Sequence, residues 1–81
     1  MILIKPLMTE KAIKILEIEN TIVFEVDRRA RKEGIKKEIE KLFGIKVERI
    51  NTMIRKNKKI AYIKLKKEFK AINVATKLGL M

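Results

Sequence analysis

Four of the five residues in the run Arg55-Lys56-Asn57-Lys58-Lys59 are cations, and Arg28-Arg29-Ala30-Arg31-Lys32 repeats the pattern. Side chains of this kind carry a positive charge at neutral pH. Gathered on a surface, they neutralise phosphates and release condensed counterions, which gives an affinity that falls steeply with salt. Asn57 is a turn residue, so the first run is expected at a turn tip, with its cations reaching into solvent. A solvated turn whose lysines only maintain solubility is the alternative for that run taken alone. The second run, expected at a different end of the sheet, favours a broad basic surface. Arg28, Arg29, Lys32 and Lys36 form one candidate set, around a helix. Asn51, Thr52, Arg55, Lys56, Lys58, Lys59 and Lys64 form the other, on a hairpin, with Asn51 and Thr52 adding hydrogen bonds to the cations. Lys5, Lys11 and Lys14 are secondary candidates.

Other chemistry is hard to assemble from these residues. The chain has no His, Cys or Ser, which removes the usual general base, the commonest nucleophiles and the usual soft metal ligands together. No glycine-rich phosphate loop is present. Glu33, Glu38 and Glu40 alternate with lysines and read as a solvated helix face. An Arg and an Asn suffice for some acyl-phosphate hydrolysis, so a minimal phosphatase is the enzymatic alternative. No metal or other cofactor is expected. Of four aromatic residues, only Tyr62 is expected on an exposed sheet face. Phe24 and Phe43 fall in apolar stripes and Phe69 anchors the last helix. Readers of single-stranded RNA stack bases on exposed rings, so recognition here is expected through backbone and shape.

The elements that must position these residues follow from periodicity. Ile2–Ile4 starts a short strand that Pro6 is expected to stop. Thr9 is an N-cap for a helix over Glu10–Leu16, and Asn20 ends that element. Thr21–Val26 alternates as a strand, with Ile22, Phe24 and Val26 on one face and Thr21, Val23 and Glu25 on a half-covered one. Asp27–Arg31 is a basic connection. A helix over Lys32–Phe43 carries the stripe Ile35, Ile39, Leu42 and Phe43, and Gly44 stops it. Lys46–Ile54 reads as a strand whose imperfect alternation implies a bulge near Ile50. Arg55–Lys59 turns the chain, and Ile60–Lys66 returns with Ala61, Ile63 and Leu65 on one face. A last helix over Phe69–Leu78 buries Ala71, Val74, Ala75 and Leu78, capped by Gly79. The expected fold is α+β: one mainly antiparallel four-stranded sheet packed with helices, in the order short strand, helix, strand, helix, hairpin, helix.

Composition bounds the answer in the same direction. Eighty-one residues, 47% of them hydrophobic, suffice for one domain over 1–81. A domain this small buries only about 60% of its extended-chain surface and gains from a partner. Lys+Arg number 21 against 10 Asp+Glu, a net charge of +11. Heat adaptation enriches both signs together and does not produce that excess. A field of this sign favours polyanions, either nucleic acid or an acidic membrane surface. The apolar start is broken by Lys5 and Pro6, so no membrane span or signal peptide is expected.

An ordered set of short matches now runs along the chain. Pro6-x-x-Thr9-Glu10-Lys11-Ala12, Phe24-x-Val26, Ala30-x-Lys32-x-x-Ile35-Lys36, Ile39-Glu40-x-x-Phe43 and Val47-x-x-Ile50-Asn51-Thr52 are followed by Lys58-Lys59-x-Ala61-Tyr62-Ile63-Lys64-Leu65 and Ala71-Ile72-x-Val74-Ala75-x-x-Leu78-Gly79. Together they resemble large-subunit ribosomal protein twenty-three, in its archaeal form. The sequence departs from that pattern at Arg31, where a polar capping residue is usual, at Ile60, Lys70 and Asn73, and in having only a short turn where bacterial members extend a long hairpin into the peptide tunnel.

The resemblance implies a structural constituent of the large ribosomal subunit in the cytoplasm, not an enzyme. Such a protein binds large-subunit rRNA near the polypeptide exit tunnel. It contacts a neighbouring small helical ribosomal protein and helps form a docking site for the signal recognition particle and the protein-conducting channel. No membrane insertion and no homo-oligomer are expected. A free-standing RNA-binding module and a membrane-surface or protein-interaction domain are the competing readings of the same cations.

Overall fold

A computed structural model describes residues 2–78. In chain order the elements are β1 (Leu3–Pro6), α1 (Glu10–Glu19), β2 (Thr21–Val26), α2 (Lys32–Phe43), β3 (Val47–Arg55), β4 (Lys58–Leu65) and α3 (Ala71–Lys77). The four strands make one sheet in the order β1-β2-β4-β3, with every neighbouring pair antiparallel. The expected α+β architecture is therefore present, and the sheet is antiparallel throughout.

One face of the sheet carries the core. The register places Ile22 opposite Ile63 and Phe24 opposite Ala61, while Ile50 faces Ile63 from the other side. Leu16 of α1, Ile35 and Ile39 of α2, and Ala71, Val74 and Ala75 of α3 close over these residues. Ile35, Ile39 and Ile63 are wholly inaccessible to solvent, each such side chain contributing about 1.5–3 kcal/mol. On the opposite sheet face, α1 brings Ala12 and Ile15 beside Val23. Thr21 and Val23 are buried on that side, and the Thr21 hydroxyl donates to the Glu19 carbonyl at 2.9 Å.

Local chemistry explains the element ends. Thr9 Oγ1 accepts the Ala12 N–H at 3.1 Å, as expected of an N-cap. Asn20 and Gly44 end α1 and α2 in the left-handed region, at φ 51° and 63°. Arg31 precedes α2 with no side-chain capping bond, in line with its departure from a polar cap.

Several expectations are corrected. Pro6 ends β1 as expected, but from within it, as its last residue, opposite Phe24. β1 is an edge strand, where a missing N–H leaves no ladder bond broken. α1 runs three residues past Leu16 to Glu19. The bulge in β3 lies between Val47 and Arg49, not near Ile50. Leu42 is 60% exposed, because the buried stripe of α2 continues through Phe43. α3 begins at Ala71, with Phe69 and Leu78 partly buried against the core. Glu40 is not simply a solvated helix residue: its carboxylate accepts the Val47 N–H at 2.8 Å and ties α2 to β3. The stop expected at Gly79 lies outside the described residues.

Candidate nucleic-acid interface

β3 and β4 are joined by two residues, Lys56 and Asn57, at φ 51° and 65°. Positive φ at both central positions is the requirement of a type I′ turn, whose twist matches that of the flanking strands. The turn lifts Arg55, Lys56 and Lys58 into solvent, all three exposed. Lys59 behaves differently. It alternates onto the core side of β4, opposite Val26, and its Nζ donates to the Ala30 carbonyl at 2.6 Å. Among the hairpin cations it is a structural strut.

That strut shows where the two basic runs lie. Because Val26 pairs with Lys59, the connection after Val26 leaves the sheet beside the hairpin tip. Arg28, Arg29, Arg31 and Lys32, all exposed, therefore share one end of the molecule with Arg55, Lys56 and Lys58. The expectation of cations at two ends of the sheet is corrected: strand pairing folds both runs onto one end. Asp27 shapes the connection, its Oδ1 accepting the Arg29 N–H at 2.8 Å. Lys36 follows Lys32 one turn further along α2 and is also exposed.

The open sheet face adds a second basic area. Arg49 lies opposite Lys64, which in turn lies opposite Thr21; Asn51 lies opposite Tyr62; and Arg55 lies opposite Lys58. Lys5 of β1 pairs with Glu25 at the near edge, with Nζ 3.9 Å from the carboxylate, and Lys64 stands 3.9 Å from Glu48. Both pairs are long and leave their lysines accessible to solvent, so they contribute little and a phosphate can compete for either lysine.

Two shallow hollows lie side by side on this face, and both include Ile15 and Tyr62 in their walls. The first is polar, bounded by Arg49, Asn51, Lys64 and Glu19. The second is mostly apolar, with Leu7, Val23, Met53 and Ile60 inside and Lys11 and Arg55 at its margin. The Tyr62 hydroxyl donates to the Met53 sulfur at 3.5 Å.

The candidates thus divide by position. Lys5, Lys11, Asn51, Arg55, Lys58 and Lys64 belong to the open face, and Arg28, Arg29, Lys32 and Lys56 to the hairpin end. Thr52 is separated from Asn51. It pairs with Ala61 and is half-buried on the core side of β3. Lys14 is exposed on α1 one turn beyond Lys11. Arg49 was not anticipated. Its signal was the alternation Arg49-x-Asn51, hidden because the bulge lies one position before Arg49, not at Ile50.

No cluster of His, Cys, Asp or Glu among the described residues could hold a metal ion, and no helix among them is long and apolar enough to cross a membrane. What the arrangement can do is bind an extended polyanion across one face and one end. A protein-family model described as Ribosomal protein L23 matches residues 1–77.

Proposed function

This chain belongs to the ribosomal protein L23 family, and from that premise we propose that it holds large-subunit rRNA through the hairpin end and the open sheet face, at the rim of the polypeptide exit tunnel. Family membership makes it a non-enzymatic structural constituent of the cytoplasmic large ribosomal subunit that binds rRNA and serves translation. Its role at the tunnel rim is our reading. So is its action as a single rRNA-binding domain that contacts a small helical ribosomal protein and helps dock the signal recognition particle and the protein-conducting channel.

The observation that carries the binding mode is the convergence of the two basic runs at one end, fixed by the Val26–Lys59 pairing and the Lys59–Ala30 hydrogen bond. Cations brought together this way act on the same stretch of RNA backbone, and each phosphate neutralised adds to the salt dependence. The two-residue turn at Lys56-Asn57 supports a short-hairpin, archaeal-like form with no arm reaching into the tunnel.

Crosslinking the protein to rRNA in intact large subunits tests this reading. Crosslinks are expected at Arg28, Arg29, Arg55, Lys56, Lys58 and Arg49. A map confined to α3 and the outer face of α2 would sink it.

A further inference from the structure

A surface that met only paired RNA backbone would need cations and polar groups, and it would have no use for an apolar recess. The open face nevertheless holds one. Leu7, Val23, Ile60 and Met53 lie within it, the Tyr62 ring forms part of its wall, and Lys11 and Arg55 stand at its margin. Its volume is about 190 Å³. An apolar cavity of roughly 150 Å³ accepts one benzene-sized ring.

We propose that this hollow receives one unpaired nucleobase of the bound RNA, stacked against Tyr62, with the phosphates on either side of it held by Lys11 and Arg55. The inference rests on the rRNA-binding reading above and specifies what that RNA must offer here. A base turned out of a helix combines a flat, weakly polar face with phosphates tethered a short distance away. The hollow offers the complement, apolar inside and cationic at its margin. The chain has one tyrosine and no tryptophan, and both remaining aromatics with a ring in the sheet or α2, Phe24 and Phe43, pack in or against the core. The open face therefore provides one stacking platform, for one base and not a run of them.

The Tyr62 hydroxyl supports the assignment. Among the described residues its one protein partner is the Met53 sulfur, a weak acceptor. The ring is therefore held only weakly and can turn its face to an arriving base, with or without the hydroxyl. On the far side of the same ring, the polar hollow with Arg49, Asn51 and Lys64 lies where the neighbouring nucleotide's sugar and phosphate would run.

Intrinsic fluorescence reads this directly, since Tyr62 is the sole reporter in the chain. The full chain is titrated with a short RNA duplex carrying one bulged adenosine, and with the same duplex lacking the bulge. The bulged duplex is expected to bind about tenfold more tightly and to quench Tyr62. Tyr62→Phe should keep the preference. Tyr62→Leu should abolish it, bringing affinity for the bulged duplex down to that for the paired one. If Tyr62→Leu fails to fold, Met53→Gln carries the test by narrowing the preference, and an unchanged preference overturns the inference. Equal binding of both duplexes without quenching overturns it too, while leaving RNA binding intact. Binding of neither duplex overturns both readings.

Discussion

Asn20 caps a helix that starts 51 residues further along the chain: its Oδ1 accepts the Ala71 N–H at 2.7 Å. Its Nδ2 donates to the Phe69 carbonyl at 2.8 Å and, more weakly, to the Leu65 carbonyl at 3.4 Å. One acceptor meets an N–H and one donor meets carbonyls, so the partners themselves fix which way the amide points. The same residue ends α1 at positive φ, a conformation that Asn tolerates and most residues do not. One side chain thus joins the end of α1 to the start of α3.

Asn20→Ala should lose both the cap and the tolerance of positive φ, lowering stability by about 3 kcal/mol. Asn20→Gly keeps the backbone freedom and should cost about 1 kcal/mol less than Ala. Urea unfolding measures both, and equal losses would show that the left-handed conformation contributes nothing.

The hairpin turn lets stability and binding be moved in opposite directions. Lys56 holds positive φ without the help of a short polar side chain, and Asn-Gly is the preferred pair for this turn. Lys56→Asn combined with Asn57→Gly should raise stability by about 1 kcal/mol, seen as a higher melting temperature. Loss of the Lys56 charge should meanwhile reduce the slope of log affinity for an rRNA fragment against log salt by up to about 0.9. A double variant that gained neither stability nor a shallower slope would contradict both assignments.

Adjacent lysines should respond oppositely to neutralisation. Lys59→Met breaks the bond to the Ala30 carbonyl and should cost about 1–2 kcal/mol of stability. Lys58→Met should leave stability within about 0.5 kcal/mol of the parent while flattening the salt dependence of rRNA binding. Denaturation and filter binding on the same two proteins separate the roles. Identical behaviour would mean that Lys59 is not a strut.

Asn51 and Thr52 are neighbours in sequence and sit on opposite faces of β3. Asn51→Ala and Arg49→Gln should each weaken binding of an rRNA fragment, about three- to tenfold. Thr52→Val should leave that affinity within twofold. Gel-shift titration at fixed salt decides it, and a Thr52 effect as large as that of Asn51 would return β3 to the register expected from sequence.

The alternation of Ile22, Phe24 and Val26, and of Ala61, Ile63 and Leu65, made two strands and their buried face readable from the residues alone. The caps at Thr9 and Gly44 were readable for the same reason, since the physics acts within a few residues. What could not be read was set by pairing between distant segments. The bulge before Arg49 decides which side chains of β3 face outward, and nothing local distinguishes that position from Ile50. The meeting of Arg28–Lys32 with the hairpin depends on Val26 lying opposite Lys59. The roles of Lys59 and Glu40 depend on the backbone groups each happens to face, Ala30 and Val47. Composition gave the charge, and only the register gave its location.

The sheet order has a consequence for the time course of synthesis. β4 lies between β2 and β3 yet is the last strand made. Until Leu65 has emerged, β2 has β1 as its only partner and β3 has none, so the sheet's central pairing cannot form. Helices can form as soon as their residues appear, whereas the sheet must wait for a strand that closes over nonlocal neighbours. Completion of the sheet thus waits until β4 has been made. Through that interval a net charge of +11 disfavours the pairing of unfinished edges between two copies of the chain.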